Sequence, residues 1–323
     1  KTDLATASKI IEEVNNTETE TSLSLKVMSG ISEKDAGKIN ELAENNKENI
    51  DKLTEKAVQS AKSTNEDSEL IAKVVSVASD EIANKVVEEV GKTSVDDKQT
   101  LSAKVLKSLV EKNPEKIENL NEDNQKTIVS QTIEAAKNQA EGNIEDEDDL
   151  SNTVAEIITK SNVSTASKVL ETLDEAVQET ESKLSLNIVS NLTKQENYEE
   201  KIEILSVTST IVEQNITNIV DKAVDVASTE DDLNKVTDIV ENSKGTLANK
   251  TIDSANKSEE NKKKITDIIV KIIEKNPEKA VEIIQNNEDT NQALDTIKSK
   301  IENNEAITSR DFEDVFENNV SPN

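Results

Sequence analysis

Ile216-Thr217-Asn218-Ile219-Val220-Asp221-Lys222-Ala223-Val224-Asp225-Val226-Ala227 decides the fold class. Ile216, Ile219, Val220, Ala223, Val224 and Ala227 fall at i, i+3, i+4, i+7, i+8 and i+11, the spacing of one face of an α-helix. Ile265, Ile268, Ile269, Ile272 and Ile273 follow the same template. The chain is therefore built from amphipathic helices and not from strands. Low hydrophobicity with high net charge is a usual signature of disorder, but this regular periodicity argues against it.

Working outward, the stripes recur as parts of a longer pattern. Ala7-Ser8-Lys9-Ile10, Ala83-Asn84-Lys85-Val86, Ala166-Ser167-Lys168-Val169 and Ala248-Asn249-Lys250-Thr251 are spaced by about 80 residues. A second series keeps step with the first: Leu23-Ser24-Leu25-Lys26, Leu101-Ser102-Ala103-Lys104, Leu184-Ser185-Leu186-Asn187 and Ile265-Thr266-Asp267-Ile268. Asn113-Pro114-Glu115-Lys116 returns as Asn276-Pro277-Glu278-Lys279, and reads as an Asn cap followed by Pro at the first helical position.

Taking residues 68–138 as the clearest unit, the pattern predicts five short helices at 69–78, 81–90, 98–111, 114–121 and 125–137. The expected fold is an all-α, elongated α-solenoid of four tandem repeats of about 80 residues. The repeats are placed at 3–63, 68–138, 148–228 and 231–303, with an orphan helix at 308–319.

Composition narrows the function. Hydrophobic residues make up 33% and aromatics 1%, so the core is expected to be thin layers of Val, Ile, Leu and Ala. A formal charge of -29 argues against nucleic acid and anionic membrane as partners, because phosphates are repelled. Divalent cations are expected only as weak screening. The chain has no Cys and no His, which removes disulfides, thiolate and imidazole chemistry and the common zinc sites. No catalytic, cofactor-binding or metal-binding residue is assigned, and the expectation is a protein that is not an enzyme and needs no cofactor. No apolar run reaches the length of a membrane span. The first residue is Lys1, which is compatible with a processed piece whose secretory signal has been removed.

The acidic clusters Glu66-Asp67, Glu145 to Asp149 and Glu230 to Asp232 are read as complements to helix dipoles. Glu145-Asp146-Glu147-Asp148-Asp149 lacks the alternation and central Gly of a calcium loop. Gly30, Gly37, Gly91, Gly142 and Gly245 are expected near helix C-termini, and none belongs to a phosphate-cradling loop. Tyr198, beside an insertion relative to the Asn-Pro-Glu-Lys turn, reads either as a half-exposed turn aromatic or as a contact point.

The phase of the pattern points to a use. The first repeat lacks its opening helix, while Asp311-Phe312-Glu313-Asp314-Val315 resembles the start of that helix type at Asp232-Leu233-Asn234-Lys235-Val236. Three readings follow: the 309–319 helix completes the first repeat of a neighbouring subunit, the chain is an excerpt of a longer array, or the helix caps its own fourth repeat. The first makes Phe312, Val315 and Phe316 the anchors and Ala7 and Ile10 the receiving face. The expected function is then a structural subunit or segment of an extracellular or cell-surface filament, stalk or layer, whose partner is itself or neighbouring repeats. The alternative is a monomeric solenoid that holds a peptide or protein in a groove. Motifs of the armadillo, HEAT and tetratricopeptide kinds are not found.

Overall fold

The computed structural model describes residues 4–16, 23–34, 36–62, 64–92, 99–144, 146, 148–243 and 245–257, with isolated positions between 264 and 305. Among the described residues the chain is helical, without strands. The helices are α1 (Leu4–Asn16), α2 (Leu23–Lys34), α3 (Ala36–Asn45), α4 (Lys47–Ser60), α5 (Asn65–Val77), α6 (Asp80–Lys92), α7 (Gln99–Lys112) and α8 (Glu115–Glu118). They continue as α9 (Glu122–Ala140), α10 (Leu150–Lys160), α11 (Val163–Gln178), α12 (Leu184–Leu192), α13 (Tyr198–Thr208), α14 (Thr210–Asp225), α15 (Glu230–Asn242) and α16 (Thr246–Asn256). The five helices predicted in the 68–138 stretch are observed as α5 to α9.

Local chemistry starts these helices. Asn46, Thr64, Asn121, Asp149, Asn162 and Thr229 each accept a hydrogen bond from the backbone N–H three residues on, which satisfies one of the orphan donors of the first turn. At α15 the cap is reciprocal. Asp232 accepts from the Thr229 backbone N–H at 3.0 Å and from the Thr229 hydroxyl at 2.7 Å, which lets its carboxylate be buried. α9 stops differently, at Gly142, whose φ of 77° is left-handed. Gly142 N–H donates to the Gln139 carbonyl and Asn143 N–H to the Asn138 carbonyl, the paired bonds of a Schellman end.

The chain folds as two units, each with its own packing. Unit 1 comprises Lys1–Leu184 with Ile204–Asn215. Within it α2, α5, α7 and α10 pack in succession, and α4, α6, α9 and α11 pack in succession beside them. The two series are joined by α2 on α4, α5 on α6, α7 on α9 and α10 on α11, while α1 lies on α4. Leu25, Met28, Leu53, Ile71, Leu101, Leu106, Leu109, Ile128 and Ile133 form the core between them. The near absence of aromatics leaves small side chains where helices meet. At Gly91 a Cβ would stand 2.7 Å from the Thr127 methyl, so α6 and α9 approach closely there.

Polar side chains fix the register. Gln139 spans one connection, donating from Nε2 to the Asp148 carbonyl and accepting at Oε1 from the Leu150 N–H, both at 2.8 Å. Asn113 does not cap α8 with its side chain as expected; its amide donates to the Ser76 carbonyl at 3.2 Å and ties α7 to α5. α7 is buried on almost every side because α5, α9 and α10 all pack on it, and this buries Lys104. Asp146 and Asp148 supply the counter-charge at 3.1 and 3.0 Å. The acidic cluster thus serves in part as the counter-charge to a buried lysine, and Asp149 alone of its described members is a helix cap.

Unit 2 comprises Ser185–Glu203 and Ile216–Asn323. In it α15 packs on α16, and Lys235 donates to Asn187 and Lys250 to Thr217, each at 2.7 Å. Tyr198 is buried and not half-exposed, because its hydroxyl donates to the Asn242 carbonyl at 2.8 Å. Burial pushes its phenol up to about 12. Gly245 precedes the first turn of α16 with a φ of 76°, the opposite end of a helix from the one expected. Gly30 lies inside α2.

The ion pair gives a stability test. Burial alone lowers the Lys104 pKa, but hydrogen bonds with Asp148 and Asp146 outweigh it and hold the ammonium above its ordinary value. The Lys104 hydrogen bond holds the Asp148 carboxyl below its ordinary value. A depressed carboxylate contributes stability above its unfolded pKa and loses it as pH falls through the folded one. Lys104→Ala is expected to cost about 1–3 kcal/mol in urea denaturation at pH 7, with the difference from wild type closing below about pH 4. In the same assay Gly142→Ala costs about 1 kcal/mol, because the left-handed backbone is then strained.

Candidate functional site

The candidate contact face starts on α1. Ala7, Ile11 and Val14 form its buried stripe, which accounts for the packing of α1 on α4. Ile10 lies off that stripe and is 44% exposed. Leu23, the first residue of α2, is 43% exposed. Two large apolar side chains thus meet solvent on adjacent helices that touch one another.

The marker segments show that this exposure is unusual for these positions. Ala7, Ala83, Ala166 and Ala248 sit on α1, α6, α11 and α16, and all four are buried. Three residues further on, Val86, Val169 and Thr251 are buried while Ile10 is not. In the second series Leu101 and Leu184 are fully buried while Leu23 is not. The helices α6, α11 and α16 each receive the helix that precedes them, since α5 packs on α6, α10 on α11 and α15 on α16. Ile10 occupies a core position whose cover is not among the described residues. Of the expected contact residues, the structure therefore places Ala7 beneath this face and Ile10 upon it. Phe312, Val315 and Phe316 lie outside the described residues.

A second apolar surface was missed in the sequence. Ile204 on α13 is 41% exposed, Val207 80% and Ile211, at the start of α14, 70%. Only Ser209 separates these helices, and its hydroxyl accepts from the Ile211 N–H at 3.1 Å. The available signal was the run Ile204 to Val212, nine residues without a charge in a chain whose charged content is 33%.

Some charged groups elsewhere form ion pairs between neighbouring helices. Glu33 of α2 meets Lys73 of α5, Glu69 of α5 meets Lys112 of α7, and Glu111 of α7 meets Lys160 of α10. Among the described residues no group of three or more His, Cys, Asp or Glu is arranged to hold a metal ion, and no helix is long and apolar enough to cross a membrane. The fold and its surfaces define an all-α protein of packed helical pairs. No protein-family model and no curated protein sequence matches the chain.

The positional argument is testable in single variants. Ile10→Glu is expected to cost only about 1 kcal/mol of unfolding free energy, since nearly half of the side chain already meets water. Val86→Glu, at the corresponding position of α6, is expected to cost more than about 3 kcal/mol, because an unpaired charge enters the core. Urea denaturation of the two proteins side by side measures both.

Proposed function

We propose that this chain is a non-enzymatic, structural α-solenoid protein, a subunit or segment of an extracellular or cell-surface filament, stalk or layer. The observation that carries the reading is the exposure of Ile10 and Leu23 at positions that are buried in the matching segments. Successive packing of α2, α5, α7 and α10 beside α4, α6, α9 and α11 supports the solenoid, because each helix completes its neighbour. The recurrence of the marker alanines on every fifth helix supports a repeat of five helices, in units at 3–63, 68–138, 148–228 and 231–303.

In this reading the 308–319 segment of one subunit covers Ile10 and Leu23 of the next, with Phe312, Val315 and Phe316 as its apolar anchors and Ala7 as the floor. Such a contact joins two different surfaces of the same molecule, so it propagates head to tail instead of closing a pair. A net charge of -29 keeps subunits apart except where apolar cover outweighs repulsion, and screening by salt shortens that repulsion. The runner-up, a monomeric binding scaffold, is favoured by the exposed Ile204, Val207 and Ile211.

Sedimentation velocity and negative-stain electron microscopy over a concentration series test the reading. Fibres or oligomers are expected from the full chain, and are expected to be lost on deletion of residues 308–323 and in Ile10→Glu. Assembly that survives the deletion overturns the contact. Single particles at every concentration move the protein to the binding-scaffold class.

A further inference from the structure

The apolar surface at the α13–α14 junction is best understood against its counterparts. Lys38-Ile39-Asn40-Glu41-Leu42, Lys116-Ile117-Glu118-Asn119-Leu120 and Lys201-Ile202-Glu203-Ile204-Leu205 share one pattern, with the Ile and Leu buried in all three. Each is followed by a long helix with the same buried stripe. Ile50, Thr54, Ala57 and Val58 of α4, Ile128, Thr132, Ala135 and Ala136 of α9, and Ile216, Val220, Ala223 and Val224 of α14 have identical spacing and are all buried. Seven residues separate Leu42 from Ile50 and Leu120 from Ile128, whereas ten separate Leu205 from Ile216. The third connection is longer by three residues.

The difference is chemical as well. Ile204 stands where the other two segments carry the exposed residues Glu41 and Asn119. Within the longer connection Val207 and Ile211 face solvent, where the shorter ones present Asn45, Asn46 and Lys47, or Asn121, Glu122 and Asp123. The fold does not require apolar side chains here, since two matching junctions close with polar ones. An apolar surface that packing does not demand is the mark of an interaction site.

Charge selects the occupant. Along the chain the patch is flanked by Glu199, Glu200 and Glu203, with Lys201 as the one cation among them, on one side and by Glu213 on the other, a net acidic surround in a protein of net charge -29. A second copy docking patch to patch brings the same acidic flanks to the contact and meets repulsion, as does a phosphate-bearing surface. A cationic segment with an apolar face satisfies both features at once. We propose that Ile204, Val207 and Ile211 form a docking point for a basic amphipathic helix of a partner protein.

The probe is a fluorescent helical peptide of Leu and Lys with its leucines on one face. Its controls are a scrambled peptide of the same composition and a version with Glu in place of Lys. Binding is read by anisotropy at about 0.15 M salt, where long-range attraction is screened. The discriminating variant is Val207→Glu with Ile211→Glu, which removes the apolar surface while adding negative charge. It is expected to bind about tenfold more weakly than wild type, with an unchanged circular-dichroism melt, and Ile10→Glu is expected to bind as wild type does. Equal or tighter binding by the double variant shows simple charge attraction and overturns the proposal. So does wild-type binding that fails to prefer the facial peptide over the scrambled one. Self-association of wild type that the double variant abolishes also overturns it, because the occupant is then a second copy.

Discussion

A helix whose apolar face is built from Val, Ile, Leu and Ala buries that face only when another helix lies on it. In unit 1 this condition is met in two directions. α7 is covered by α5 before it and α10 after it in one series, and by α9 from the other. The result is a core of side chains too small to fill a wide space, so helices approach closely, as Gly91 of α6 and Thr127 of α9 show. Four buried Thr residues are tolerated because Thr54, Thr132, Thr237 and Thr251 return their hydroxyls to the carbonyl one turn earlier and leave no unpaired donor.

This dependence on neighbours explains what was legible in the sequence. Apolar spacing at 3.6 residues and Asn, Asp and Thr before it are local signals, and they located α5 to α9 within a few residues. Tyr198, Asn113 and Gly245 were misread because their roles are set by residues far along the chain or by the connection they sit in. Tyr198 is buried with its hydroxyl on the Asn242 carbonyl, and Asn113 ties α7 to the Ser76 carbonyl of α5 while Pro114 stands at the start of α8. The exposed face of α1 and α2 was half legible. Periodicity placed Ala7 and Ile10 on one helix, but only burial of Val86, Val169 and Thr251 shows that Ile10 is the exception. The Ile204 to Ile211 surface was overlooked since apolar residues at helical spacing read as core until their exposure is known.

The large negative charge coexists with this packing because several lysines are placed where helices meet. Lys104, Lys107, Lys112, Lys116 and Lys160 all pair with carboxylates on other segments, and Lys116 also donates to the Ala78 carbonyl. Exposed pairs of this kind contribute little individually. Their placement nevertheless removes repulsion between packed helices, and leaves the excess carboxylates on surfaces that face water.

The two exposed apolar surfaces arise from opposite departures from the pattern. At Ile10 and Leu23 the residue types conform to the matching segments and the burial does not: these are core positions whose cover is not among the described residues. At Ile204, Val207 and Ile211 the backbone plan conforms and the residue types do not: these are surface positions that have gained apolar side chains and three residues of chain. A surface of the first kind would, in the proposed assembly, be completed by a helix resembling the ones that pack beside Val86 and Val169, which would confine its partner to sequences of this same pattern. A surface of the second kind carries no such restriction, because nothing in the matching junctions defines what lies on it. On the proposed readings, assembly with like units and recognition of unlike partners fall to different faces, so substitutions at one are expected to leave the other intact.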